Sequence, residues 1–196
     1  MADAETTATQ VTKKKKSLVR EYAEAIIIAV LLALLIRTFV VQAFTIPSGS
    51  MIPTLLVGDY ILVNKFIYRF KDPERGDVIV FKYPWDEKRD FIKRVVGLAG
   101  EEIVIKGRTV FANGKPLDDP RAYYQDSASS QQEYGPVVVP PGSYFVMGDN
   151  RDNSQDSRYW GFLKREKIRG KAFMIYWSWD GEKRWPRWSR LSNLIH

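Results

Sequence analysis

Asp77-Val78-Ile79-Val80-Phe81-Lys82-Tyr83 and, one turn later, Phe91-Ile92-Lys93-Arg94-Val95-Val96 are the stretches that decide the fold. Both alternate in the manner of strands whose successive side chains point to opposite faces. Outward from this pair the same short pattern recurs. Tyr60-Ile61-Leu62-Val63-Asn64 precedes it. Glu102-Ile103-Val104-Ile105 and Arg108-Thr109-Val110-Phe111 follow, the latter running into Asn113-Gly114, a strong signal for a tight turn. Val137-Val138-Val139, Ser143-Tyr144-Phe145-Val146-Met147 and Lys171-Ala172-Phe173-Met174-Ile175-Tyr176-Trp177 complete the series. No long amphipathic helix separates these runs, so the expected fold is mainly β, built of antiparallel sheets. Residues 119–135 are polar and read as an exposed loop.

Upstream of residue 45 the pattern changes. Lys13 to Lys16 and Arg20 form a basic cluster after a polar tail. Ala25 to Ile36 is then apolar without interruption, Arg37 breaks the run, and Thr38 to Phe44 resumes it. Used whole as a helix, residues 25–44 would span about 30 Å, the thickness of a hydrocarbon core. The expected organisation is a basic cytoplasmic tail over 1–24, a single transmembrane anchor over 25–44, and a β-rich domain over 45–196. A cleavable signal peptide ending near Val41-Gln42-Ala43 is the competing reading. Basic residues ahead of the span place the N-terminus in the cytoplasm and the domain outside.

Composition narrows the chemistry. The chain has 196 residues and net charge +7, with no cysteine and one histidine, His196. Thiol catalysis and thiolate metal sites are excluded, and a zinc site of several imidazoles is impossible. Chain ends usually fray, which makes His196 a poor buried base. Nucleophilic chemistry must then use Ser or Thr with Lys, or paired carboxylates.

Three polar blocks supply candidates. Ile46-Pro47-Ser48-Gly49-Ser50-Met51-Ile52-Pro53 fixes an irregular backbone around two serines. In the second block Lys93 shares a strand face with Phe91 and Val95, where lost hydration lowers an amine pKa. An edge-strand lysine that discourages aggregation would look the same. Gly148-Asp149-Asn150-Arg151-Asp152-Asn153-Ser154-Gln155-Asp156-Ser157-Arg158 alternates acids and arginines. Its spacing does not fit the twelve-residue calcium loop and suggests ion pairs bracing a site.

These three blocks, with Arg75-Gly76-Asp77-Val78-Ile79-Val80-Phe81 as a fourth, resemble in this order the bacterial type I signal peptidases. Each block is weakly specific alone; four in order are highly specific. The resemblance implies a membrane-bound serine endopeptidase of the bacterial plasma membrane that removes N-terminal signal peptides from exported preproteins after small residues at −3 and −1. It implies Ser50 as nucleophile, Lys93 as general base, and an oxyanion hole of the Ser48 hydroxyl and Ser50 N–H. Ser154 would orient Lys93, with Asp149 paired to Arg94 and Asp156 to Arg158. Ile46, Met51 and Ile92 would line substrate pockets, although alternation puts Ile92 opposite Lys93. No metal and no cofactor are implied.

Two rivals remain at this stage. A serine–lysine autoprotease of the transcription-regulator type shares the dyad but not the apolar span. An anchored, non-enzymatic binding protein would explain the span and charge but not the polar blocks. The partners expected are signal-peptide-bearing preproteins and membrane lipid, without nucleic acid. Trp185 and Trp188, interleaved with Arg184, Arg187 and Arg190, read as a lipid-docking stretch, while Trp177 reads as core.

Overall fold

The computed structural model describes residues 18–125 and 133–196, with the backbone alone for residues 36–39. The basic cluster at residues 13–16 and the polar residues 127–132 lie outside them. Helix α1 (Leu18–Phe39) passes through Val40 into strand β1 (Val41–Thr45). Then come β2 (Asp59–Asn64), β3 (Val78–Tyr83), β4 (Asp86–Gly97), β5 (Glu102–Lys106), β6 (Thr109–Ala112) and β7 (Lys115–Pro116). β8 (Glu133–Val138) and β9 (Ser143–Met147) precede the one-turn helix α2 (Ser157–Trp160). β10 (Leu163–Lys164), the long β11 (Ile168–Asp180), β12 (Trp185–Pro186) and β13 (Asn193–Leu194) complete the order.

The larger sheet runs β1-β2-β11-β3-β4-β9-β10, with β12 and β13 paired to β11. A smaller sheet runs β7-β6-β5-β8. β3 shows why its sequence reads as it does. Val78 and Val80 join a cluster with Ile46, Met51, Leu55, Ile61 and Val63. Ile79 and Phe81 join another with Val95, Val146 and Trp160 on the opposite face. A strand covered on both faces is apolar at every position, so residues 78–81 are all buried rather than alternating. Phe145 and Met147 of β9 and Val96 of β4 pack with Ile103, Ile105 and Val110, seating the small sheet on the large one. Asn113 (φ 50°) and Gly114 (φ 74°) make the expected two-residue hairpin between β6 and β7.

The antiparallel β architecture matches expectation; the anchor boundaries do not. The helix ends at Phe39, and Val41 to Thr45 pair in register with Asn64 to Tyr60 of β2. Val41, Phe44 and Thr45 are β-formers, and β2 offers them a ladder. Residues 41–44 therefore belong to the folded domain. Among the described residues no helix is long and apolar enough to cross a membrane. The exposed-loop reading of 119–135 also fails in part. Residues 133–135 lie in β8. Tyr123 donates its N–H to the Asp149 carbonyl (2.7 Å) and accepts from the Arg151 N–H (2.8 Å), so this stretch straps the polar block after β9.

The C-terminal segment is likewise tied down. Arg190 bonds the fully buried Asp59 and the Thr54 carbonyl (2.9 Å). Arg187 donates to the Val57 (3.0 Å) and Trp179 (2.9 Å) carbonyls. Arg190 is thus held by a buried carboxylate, and Arg187 by backbone oxygens at the surface. Both guanidiniums are engaged within the domain, while Arg184 is exposed. Trp185 and Trp188 remain exposed, and Trp188 meets half-buried Trp177 edge to face at 5.8 Å. The chain end is not frayed either: Ile195 is buried, and the His196 backbone oxygen accepts from Arg94 (2.8 Å).

Candidate active site

The connection from β1 to β2 carries Ser50. The Ile46 N–H donates to the Asp59 carbonyl and the Gly58 N–H to the Ile46 carbonyl, which closes the loop's two ends together. Between them Gly49–Met51 forms a single 3-10 turn whose N-cap is Ser48. The first N–H groups of such a turn have no acceptor within it, which leaves the Ser50 N–H unclaimed by the turn. The Ser48 hydroxyl makes no capping bond, and Ser48 lies exposed on the wall of a cleft of about 530 Å³. Ser50 and Lys93 line the same cleft, with Arg89, Ile92, Asn153 and Gln155.

Lys93 Nζ lies 2.8 Å from Ser50 Oγ and donates to the Ile92 carbonyl at 2.8 Å. Lys93 is 3% exposed and Ser50 9%. Burial lowers the amine's pKa from 10.5 to about 8; Asp156 and Asp149 pull it back up, and Arg158 pushes it down. Both acids are already engaged. Asp149 holds Arg94 through two bonds of 2.7 Å and accepts from Thr54 Oγ1 (2.5 Å). Asp156 holds Arg158 through two bonds of 2.8 Å and accepts the Gly148 N–H (3.1 Å). Each carboxylate thus faces a guanidinium first, which weakens its hold on a proton at Lys93. A buried amine with a pKa of about 8, in hydrogen-bond reach of a serine hydroxyl, has the geometry of a base and its nucleophile.

Other anticipated residues sit differently. Ser154 Oγ is buried without a hydrogen-bond partner, so it does not orient Lys93 by a hydrogen bond here. It packs on Gly148, where a Cβ would stand 2.3 Å from Ser154 Oγ and 2.4 Å from the Ser50 carbonyl oxygen. Met51 is fully buried and Ile46 nearly so, and neither lines the cleft; Ile92 does, and packs on the cluster that contains them. The two therefore back the pocket wall rather than form it. Asn150 went unnoticed in the sequence. Its N–H donates to the Ser50 carbonyl and its Nδ2 to the Gly49 carbonyl, each at 3.1 Å, tying the block after β9 to the serine turn. An asparagine beside Asp149 in a polar block is the only signal that could have marked it.

The chain is similar to known proteins. A family model described as signal peptidase, peptidase S26, matches residues 19–177. A "Probable signal peptidase I-2" of Synechocystis sp. is 46% identical, over 80% of this chain and 72% of its own. The signal peptidase I of Leptolyngbya laminosa is 44% identical, over 84% of this chain and 82% of its own. That of Aquifex aeolicus is 39% identical, over 81% and 84% respectively. The chain belongs to the signal peptidase family, peptidase S26, and is a serine peptidase.

Proposed function

We propose that the chain cuts N-terminal signal peptides from exported preproteins after small residues at −1 and −3, with Ser50 as nucleophile and Lys93 as general base. The observation that carries this reading is the 2.8 Å approach of Lys93 Nζ to Ser50 Oγ inside a buried site. Neutral Lys93 takes the Ser50 proton as Oγ attacks the scissile carbonyl carbon. The oxyanion is met by the Ser50 N–H and the Ser48 hydroxyl. Collapse expels the new amino terminus, which takes the proton from Lys93 and leaves an acyl ester on Ser50. Lys93 then draws a proton from water, hydroxide attacks the ester, and the proton returns to Ser50 Oγ. Arg94 with Asp149 and Arg158 with Asp156 brace the lysine's surroundings, while Ser154 fills the space beside Gly148. Ile92, backed by Ile46 and Met51, gives the shallow apolar wall that small side chains fit.

The enzyme works at the bacterial plasma membrane, crossing it once with its N-terminus in the cytoplasm. Support for this comes from α1, where Ile26, Ile28, Leu31, Leu32 and Leu35 are each more than half exposed. So much uncovered apolar surface favours an apolar surrounding. Arg20, Glu21 and Glu24 would fall where headgroups lie, and residues 25–39 of α1 extend about 22 Å beyond them.

The test incubates the full chain in detergent with a signal-peptide-bearing precursor and sequences the product's new N-terminus. Cleavage after the expected small residue, lost together with serine-directed labelling in Ser50→Ala, supports the reading. Undiminished cleavage by Ser50→Ala overturns it.

A further inference from the structure

The end of the large sheet where α1 joins the domain carries a second cavity. β1 begins there, β2 and β3 end there, and β4 and β11 begin there, as the pairings of Val41 with Asn64, Asn64 with Lys171, and Tyr83 with Asp86 require. The cavity, of about 430 Å³, is lined by Lys65, Arg69, Lys82, Lys167 and Arg169, with Glu166 as its one acid. Glu87 pairs with Lys82 and Lys167, and Asp90 with Arg169. Five of the six charged residues that line the cavity are cations.

Its position says which anion it meets. The Lys65 N–H donates to the Val40 carbonyl at 2.9 Å, one residue beyond the end of α1. The pocket therefore lies where the helix leaves the domain. Beside it Phe66 and Phe70, 39% and 75% exposed, meet edge to face at 4.8 Å, and the Arg69 guanidinium stands over Phe66 at 5.5 Å. Exposed aromatic rings next to basic groups suit the headgroup layer of a bilayer.

We infer that this pocket binds the phosphate of an anionic phospholipid headgroup at the membrane surface beside α1. The inference rests on the anchored reading of α1, because that places the pocket level with headgroups. Bound there, the lipid fixes how the sheet stands over the membrane. It supplies a basic docking contact close to the end of α1.

The test titrates the detergent-solubilised full chain with short-chain phosphatidylglycerol or phosphatidylcholine and counts retained lipid by native mass spectrometry. One phosphatidylglycerol is expected to bind at least tenfold more tightly than phosphatidylcholine. That preference should fall about tenfold in Lys65→Gln/Arg69→Gln. Arg69→Glu alters one exposed side chain and should weaken binding in a chain whose melting temperature is unchanged. Equal retention of the two lipids, or a preference untouched by both variants, overturns the proposal. Inorganic phosphate competing as strongly as phosphatidylglycerol overturns the headgroup assignment. Flotation of the chain with neutral phosphatidylcholine vesicles reads the anchor separately: failure there leaves a lipid preference in detergent measurable, and success there does not create one.

Discussion

Lys93 on β4 and Lys171 on β11 flank β3 and stand opposite the same residue, Ile79. Strand context is therefore nearly identical for the two, and their surroundings are not. Lys171 forms an ion pair with buried Asp77 while its side chain keeps 27% exposure. Lys93 is 3% exposed, and the carboxylates nearest its charge, Asp149 and Asp156, are each held by an arginine. One lysine keeps a private counter-ion, and the other has lost both water and counter-ion. That difference, more than the strand, suits one amine to the proposed role of base and the other to bracing Asp77.

The largest expected effect tests this division directly. Lys93→Ala and Lys93→Arg should each reduce kcat/KM for precursor cleavage by about 10²–10⁴-fold, since neither leaves a neutral amine near Ser50. Lys171→Met should leave kcat/KM within a few-fold of the parent. Comparable losses at both positions would break the comparison. Next in size is Ser48→Ala, which removes an uncapped hydroxyl from the cleft wall. A fall of about 10²–10³-fold in kcat at little change in KM is expected for a lost oxyanion donor. An unchanged kcat would confine Ser48 to starting the turn.

Acidity gives a smaller and sharper test. With a pKa of about 8, Lys93 is neutral in roughly a tenth of molecules at pH 7 and half at pH 8. Single-turnover acylation should therefore rise about fivefold between those values and level off above pH 9. A profile that keeps climbing to pH 10.5 would mean the lysine is unperturbed. Stability moves with the same group. The folded pKa lies below the unfolded 10.5, so between about 8 and 10.5 the unfolded chain holds the extra proton. The burden that Lys93 places on folding is full below about pH 8 and lifts as pH rises through that window. Lys93→Met should show less of this alkaline stabilisation than the parent.

How far such differences can be read from sequence depends on where the deciding atoms lie. The strands of the large sheet were legible either as a period imposed by one buried face, as in β2, or as a short continuous apolar run where both faces are covered, as in β3. β1 was not, because its apolar residues continue those of α1 and only the ladder to β2 separates them. Ser50, Lys93, Arg94 and Asp149 were legible as types in ordered blocks. The carbonyls that Arg187 holds, by contrast, come from Val57, far along the chain, as well as from nearby Trp179. Asn150 matters through two backbone oxygens of the serine turn, about a hundred residues upstream. Partners supplied by remote backbone leave no mark in composition or spacing.

The smallest effect returns to Lys171. Asp77 also accepts from the Tyr68 hydroxyl (2.8 Å) and from the Glu74 N–H (3.1 Å). Burial alone would raise its carboxyl pKa, but the bond from Lys171, the Glu74 N–H and Tyr68 together hold it below 3.8. A carboxyl lowered on folding stabilises the protein above its unfolded pKa, and that contribution is lost as pH falls through the folded value. Lys171→Met removes the first of these supports. The melting temperature at pH 7 should fall by about 5 °C, a modest loss because the other two donors stay in place. The parent should also lose more stability than the variant on acidification below pH 4, since the variant's carboxyl is less depressed. Equal acid sensitivity would mean that Tyr68 and Glu74 suffice to hold Asp77 ionised. Lys171 would then be a partly exposed strand lysine like many others, and only the Lys93 half of the comparison would stand.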